Sequence, residues 1–102
     1  EHVNIYTVMA FPGSALYDWA LKHEGFLPEN WEGFSQLGYE TQPLPTRYLQ
    51  AKDVLMFRDE AFYEYNKNPV YLNMVEKKFG GKARRHIEKM LEIKLKRKLL
   101  EN

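Results

Sequence analysis

The sequence contains no cysteine, and this absence excludes several kinds of site. Without a thiol the chain holds no disulfide, no thiolate-bound metal and no cysteine nucleophile. No signal-peptide pattern is expected before the predicted N-terminal strand, and no apolar run approaches the roughly 20 residues that cross a bilayer. These features predict a cytoplasmic protein without a membrane partner.

Several motifs that carry chemistry are missing as well. No phosphate-binding Gly-x-x-x-x-Gly-Lys, dinucleotide-binding Gly-x-Gly-x-x-Gly or hydrolase Gly-x-Ser-x-Gly sequence occurs. The histidines His2, His23 and His86 are isolated from one another, which disfavours a metal site. Glu60 and Glu64 have the spacing of an acid pair, but a solvated acidic face is the commoner explanation. The sequence therefore predicts no catalytic and no metal-binding residue.

The charge is distributed unevenly along the chain. Residues 1–81 carry 7 basic and 11 acidic side chains, whereas residues 82–102 carry 8 basic and 3 acidic ones. The last aromatic residue is Phe79, so the basic tail has no ring that stacks on a base or lies at a lipid interface. A solvated helix face is the favoured interpretation, and nucleic acid is disfavoured as a partner.

The N-terminal stretch changes its backbone preference within about a dozen residues. Val3–Phe11 is rich in β-branched and aromatic residues, which predicts one buried strand. Pro12-Gly13 predicts a turn, and Ser14 is placed to cap a helix from Ala15. An apolar strand needs neighbouring strands, so the chain is predicted to be part of a larger α/β protein. An unpaired strand also predicts dimerisation or strand exchange with a second copy.

The remaining sequence predicts helices that are joined by one long loop. The first helix covers residues 15–23 and stops near Gly25, and residues 25–46 form a loop with aromatic anchors that serves as a core plug or a binding lid. The second helix starts at Thr46 or Gln50 and runs to about Asn66, with apolar residues at helical spacing. The third covers residues 69–79, and a last apolar stripe runs from residue 83 to residue 99.

The order of these residues resembles the C-terminal part of radical SAM enzymes, particularly the subclass with an N-terminal cobalamin-binding domain. Asn4–Tyr17 (NIYTVMAFPGSALY) is similar to the last barrel strand of that family and the turn after it. The similarity covers nearly the whole chain and continues through Leu27-Pro28, Asn30-Trp31, Tyr39-Glu40-Thr41, Leu44-Pro45-Thr46, Leu49, Phe57–Phe62, Tyr65, Asn68-Pro69, Tyr71-Leu72, Lys78–Gly80 and Leu95–Leu99.

The resemblance implies a parent enzyme that reduces S-adenosylmethionine with a [4Fe-4S] cluster and makes a 5′-deoxyadenosyl radical. Such oxidoreductases and methyltransferases often use cobalamin for methyl transfer or for another radical step. The family's Cys-x-x-x-Cys-x-x-Cys motif is missing here, so this chain holds no cluster. It is expected to bind no cofactor and to be inactive alone, with the remainder of the barrel as its partner and a small molecule as the substrate.

The resemblance also assigns candidate site residues. The residues expected to border the cofactor, through backbone and apolar contacts, lie at the end of the predicted strand: Met9, Ala10, Phe11, Pro12 and Gly13. The residues expected to face the substrate lie in the loop: Trp31, Tyr39 and Glu40. A structural role in fixing the loop explains this second set equally well.

The predicted fold is mainly α, with about four helices and one N-terminal β-strand left over from a partial (β/α) barrel. Residues 1–13 are predicted as the last strand and turn of a truncated radical SAM core. Residues 14–102 are predicted as a helical C-terminal extension that helps to cover the barrel mouth and shapes the substrate site. The alternative function is a helical interaction module whose basic C-terminal helix binds an acidic protein or nucleic acid.

Overall fold

The computed structural model describes residues 3–23 and 27–101, and every regular element within them is helical. The α-helices are α1 (Ala15–Leu21), α2 (Ala51–Lys67), α3 (Pro69–Phe79) and α4 (Gly81–Met90). Short 3-10 helices cover Trp31–Phe34 and Lys98–Leu100. The mainly helical character and the four helices are thus confirmed. Among the described residues, no helix combines the length and the apolar character that a membrane span requires.

The predicted N-terminal strand is wrong. Residues 3–11 form no strand, and residues 3–23 and 27–101 contain neither a strand nor a remnant of a (β/α) barrel. A strand exists only when a second strand completes its hydrogen bonds, and β-favouring composition does not supply that second strand. The buried positions also differ from the prediction, because Thr7, Met9 and Ala10 are buried while Tyr6 and Val8 are 64% and 63% exposed.

The side-chain amide of Gln36 forms the hydrogen bonds with the Thr7 backbone that a neighbouring strand would form in a sheet. The backbone N–H of Thr7 donates to Gln36 Oε1 at 3.0 Å, and Gln36 Nε2 donates to Thr7 O at 3.1 Å. The Thr7 hydroxyl also donates to Gln36 Oε1, at 3.1 Å. A primary amide carries both a donor and an acceptor, so it satisfies both polar groups of a backbone residue.

The contacts divide the chain into two compact units. The helical unit consists of residues 3–5 and 59–94, and the loop unit of residues 6–23, 27–58 and 95–101. Helix α2 contributes its residues up to Arg58 to the loop unit and its later residues to the helical unit. The domain boundary predicted between residues 13 and 14 stays a prediction.

The predicted start of α1 is confirmed. Ser14 is the N-cap, and its hydroxyl oxygen accepts the backbone N–H of Tyr17 at 3.1 Å. The helix ends at Leu21, and the stop predicted at Gly25 lies outside the described residues. The core of the loop unit includes Ala20 of α1 and Leu55 of α2.

The apolar spacing of α2 predicts one face, with Val54, Phe57, Ala61 and Tyr65 in line and Leu55 and Phe62 beside them. The structure buries a different set of residues. Phe57 is 71% exposed, whereas Leu55, Arg58, Asp59 and Asn66 are each buried. Polar side chains therefore occupy much of the buried face, and apolar spacing alone does not identify it.

Helix α3 begins at Pro69, as predicted. Asn68 Oδ1 accepts the N–H of Val70 at 2.9 Å, and Pro69 stands in the first turn of α3, where its missing N–H has no helical partner to lose. Gly80 ends this helix with φ +97°, a backbone conformation that strains residues with a side chain. Helix α4 starts directly afterwards and packs against α3.

The apolar stripe predicted through residue 99 is α-helical only as far as Met90, and its last residue lies in the separate 3-10 helix Lys98–Leu100. Beyond Met90 the chain contacts Tyr63 of α2. The Tyr63 hydroxyl donates to Ile93 O at 2.9 Å, and Lys94 Nζ lies 3.9 Å from the centre of the Tyr63 ring. A carbonyl bound by a side chain from another helix does not need a helical partner.

Candidate functional site

The predicted cofactor-bordering residues lead into the tight turn that precedes α1. Met9 and Ala10 are buried, whereas Phe11 is 46% exposed and Pro12 and Gly13 are exposed. Gly13 has φ +92°, which explains the glycine at this position. The chain therefore anchors one end of this segment in the loop unit and presents the other end on the surface.

Ser14 secures the same turn on both sides. Its hydroxyl donates to Phe11 O at 2.7 Å, its backbone N–H donates to the same carbonyl at 3.1 Å, and its oxygen caps α1. The hydroxyl is thus used by the fold, as expected for a helix cap.

Phe34 connects this turn with the first substrate-facing candidate. Its ring centre lies 6.3 Å from that of Phe11, 6.5 Å from that of Tyr17 and 6.3 Å from that of Trp31. Phe34 is half-buried, but Trp31 is 76% exposed. We call Phe11, Tyr17, Trp31 and Phe34 the Phe34 cluster. It joins two groups of predicted site residues in one partly exposed aromatic surface, a geometry in which rings attract one another.

Tyr39 and Glu40 contact a different part of the loop unit, namely the C-terminal segment. The Tyr39 hydroxyl donates to Glu101 Oε2 at 2.7 Å, and Tyr39 O accepts the N–H of Lys98 at 2.9 Å. Lys98 Nζ lies 3.4 Å from Glu40 Oε2. The three predicted substrate-facing residues are therefore not brought together.

Glu40 and Lys98 line a small pocket of about 290 Å³. We call it the Glu40 pocket; its other lining residues, largely from the loop, are Leu27, Pro28, Glu29, Asn30, Gly33, Gln42 and Leu99. This mixture of carboxylates, amides and one ammonium group suits a small polar molecule. Sequence reasoning missed Lys98 and Gln42 here, because residues far apart in sequence give no local signal.

Arg97 forms hydrogen bonds with the part of the loop that carries Tyr39 and Glu40. Its side chain is 2% exposed, and Nη1 donates to Gln36 O at 3.1 Å, to Gly38 O at 2.9 Å and to Thr41 Oγ1 at 2.9 Å. The charge pattern predicts this arginine on a solvated helix face, and the structure buries it instead. Its role is structural, since it bonds the turn that carries the two candidate residues.

Other basic side chains of the tail also form ion pairs or ring contacts within the protein. Arg84 pairs with Glu76 at 3.2 Å and with Glu88 at 3.5 Å. Lys94 lies over the Tyr63 ring. Because residues 82–94 and 95–101 belong to different units, the tail does not form the single basic helix that the alternative function invoked.

The two described histidines differ in their surroundings. His23 stacks on Trp19 with ring centres 4.0 Å apart, and its Nδ1 lies 2.8 Å from Trp19 O. His86 is an exposed residue of α4 and lines an apolar groove between α3 and α4. His2 lies outside the described residues.

The side chains of this chain do not fit an iron–sulfur cluster. Such clusters are held by cysteine thiolates, and the sequence has none. Within residues 3–23 and 27–101, no three acidic or histidine side chains are grouped as metal ligands. The segment from Met9 to Gly13 offers apolar surface and backbone groups. Among the described residues, no buried side-chain polar atom lacks a hydrogen bond.

The pKa of Tyr39 is raised above its ordinary value of 10.0, chiefly because its hydroxyl donates to the Glu101 carboxylate. Desolvation and the charges of Glu101 and Glu40 act in the same direction. A raised pKa in the folded state means that this hydrogen bond contributes its stability below the unfolded pKa and loses it as the pH rises through the folded value. We expect Tyr39 to ionise in a late phase of an ultraviolet absorbance titration, at a higher pH than an unperturbed tyrosine.

Two variants identify the residue responsible for that late phase. Tyr39→Phe is expected to remove it, and Glu101→Gln is expected to shift it to lower pH, since the amide carries no negative charge. Tyr48→Phe, at a residue that is 84% exposed, is expected to leave the late phase in place. Loss of the late phase in Tyr48→Phe rather than in Tyr39→Phe would contradict the assignment.

Comparison of the chain with protein-family models, with curated proteins and with solved structures gave no significant match.

Proposed function

We propose that residues 14–102 form a helical C-terminal extension of a radical SAM enzyme of the cobalamin-binding subclass. In this proposal the chain contributes no catalytic residue. It covers the mouth of the parent barrel and excludes water from the reaction. The [4Fe-4S] cluster, S-adenosylmethionine and any cobalamin are bound by the remainder of the parent, which is the partner of this chain.

The observation that carries the proposal is the exposure of the Phe34 cluster. Phe11 and Trp31 present large apolar surfaces to solvent beside the Pro12-Gly13 turn, and Tyr6 and Val8 are exposed a few residues earlier. Exposed aromatic side chains that contact one another are typical of a surface that another protein segment covers. The resemblance assigns this turn and Trp31 to the active-site side of the extension.

The first experiment determines the enzyme class of the parent. The intact parent polypeptide is purified without oxygen, and its iron, sulfide and cobalamin contents are measured together with its visible absorption spectrum. We expect about four iron and four sulfide ions per chain for one [4Fe-4S] cluster. Parent protein without iron and sulfide would overturn the proposal.

The second experiment tests the covering role of this chain's own residues. Hydroxyl-radical footprinting of the intact parent is expected to show Trp31 protected, because the barrel covers it, although it is 76% exposed in this chain. Tyr48, which is 84% exposed and not part of the Phe34 cluster, is the matched control and is expected to react. Equal reactivity of Trp31 and Tyr48 would contradict the covering role even if a cluster is present.

A further inference from the structure

An apolar groove runs between α3 and α4 in the helical unit. It has a volume of about 700 Å³. Val75 and Phe79 of α3 and Ala83 and Ile87 of α4 contribute to its lining. Val75 is only 3% exposed and forms the floor, whereas Phe79 is 59% exposed and stands at the edge. A second hollow of about 370 Å³ lies beside it on α4 and shares His86.

The rim of the groove is basic. Lys82 and His86 line the groove, and Lys89 lines the adjoining hollow. Helix α4 carries four basic side chains and one acidic one, Glu88, which is paired with Arg84. Within the described part of the chain, Lys82 and Lys89 form no ion pair. The groove therefore combines an apolar floor with positive charge that its own unit does not neutralise.

We propose that this α3–α4 groove binds an amphipathic helix of a partner protein, with large aliphatic residues on one face of that helix and acidic residues on its flanks. Two packed helices form a concave track, and a third helix is the regular element that fills such a track with side chains spaced three and four residues apart. Acidic flanks are complementary to Lys82 and Lys89. This proposal concerns the helical unit and does not depend on the proposed function.

Shape and charge disfavour the other occupants. A flat bilayer does not reach Val75, which is only 3% exposed at the floor of the groove. In a symmetric pair of copies, the same basic rim would face itself, so like charges would meet. The apolar face of an acidic amphipathic helix is complementary to the floor of the groove, and its acidic flanks are complementary to the basic rim.

The test uses the full chain and a fluorescein-labelled peptide of about 18 residues, long enough to form a helix. Its leucines are spaced three and four residues apart, and glutamates fill its flanks. Fluorescence anisotropy is expected to show saturable binding. The double variant Lys82→Glu and Lys89→Glu is expected to weaken binding about 10-fold or more. The control double variant Lys77→Glu and Lys96→Glu changes the net charge equally outside the groove and is expected to change affinity by less than about twofold.

A second variant tests the apolar part of the groove. Phe79→Ser replaces an exposed side chain, so the fold is expected to persist, and binding is expected to weaken about 10-fold. A peptide of identical composition with leucine at alternate positions is expected not to bind, because its apolar residues do not share a helical face.

Four results would overturn the proposal. One is an absence of binding by the helical peptide, and another is equal affinity for the two peptides. The third is an equal loss of affinity in both charge variants, which would indicate non-specific attraction. The last is binding to phosphatidylglycerol vesicles that Lys82→Glu and Lys89→Glu abolish while the peptide stays unbound, which would assign the groove to a lipid surface.

Discussion

Replacing Arg97 with methionine is expected to lower the free energy of unfolding by about 3 kcal/mol. The guanidinium is buried, and its Nη1 serves Gln36 O, Gly38 O and Thr41 Oγ1. Methionine fills a similar volume but donates no hydrogen bond, so acceptors in a buried region lose their partner. Urea unfolding followed by tryptophan fluorescence measures the effect, because Trp19 and Trp31 both lie in the loop unit.

Two further variants separate the hydrogen bonds from the charge. Lys98→Met removes the neighbouring positive charge, whose side chain is 63% exposed and pairs with Glu40 at 3.4 Å, and a change below about 1 kcal/mol is expected. Arg97→Lys keeps the charge but lacks the planar fork that reaches several acceptors, so an intermediate loss is expected. If Arg97→Met and Lys98→Met unfold at the same urea concentration, the guanidinium does not stabilise the loop.

The helix ends of this chain were predictable because their physical causes are local. Ser14 bonds the N–H of Tyr17, and Asn68 bonds the N–H of Val70, so the donor and the acceptor lie within three residues of each other. Gly80 ends α3 because of its own backbone angle. Such signals depend on neighbouring residues alone, and sequence patterns capture them.

The N-terminal segment shows where local reasoning fails. Val3–Phe11 has the composition of a strand, but whether a strand forms depends on a second segment that pairs with it. In the structure the partner of Thr7 is the side chain of Gln36, which lies 29 residues away in sequence. No rule based on composition or spacing identifies that amide.

The candidate site was predictable only in part, for a similar reason. Phe11, next to the Pro12-Gly13 turn, and Trp31 are both predicted as site residues from the sequence, and Phe34 brings these two rings into one cluster. Tyr39 and Glu40 instead contact Lys98, and Arg97 bonds the neighbouring Gly38 O, although the charge pattern predicts both basic residues in a solvated tail. Charge density along a sequence does not distinguish an exposed lysine from a buried arginine, because burial is decided by distant segments.

Gly33→Ala is expected to lower the free energy of unfolding by about 2 kcal/mol through overpacking. Gly33 is buried in the first 3-10 helix, and a Cβ added to it would collide with Pro28 Cβ and would lie 2.9 Å from Pro28 Cγ. The proline ring cannot rotate away as a flexible side chain would, so the backbone must shift. Both residues line the Glu40 pocket, and Gly33 O accepts the N–H of Gln42 at 2.9 Å, so the shift also disturbs the pocket.

Thermal unfolding followed by far-ultraviolet circular dichroism measures this effect against a matched glycine. Gly81→Ala adds the same methyl group at the first position of α4, where the nearest atom is the mobile Nη1 of Arg85 at 3.1 Å, and unchanged or slightly higher stability is expected. Pro28→Gly added to Gly33→Ala removes the ring that the methyl group meets. If the collision is the cause, the second substitution costs less in the Gly33→Ala background than in the wild-type chain. Additive losses from Pro28→Gly and Gly33→Ala would show instead that the two residues do not interact.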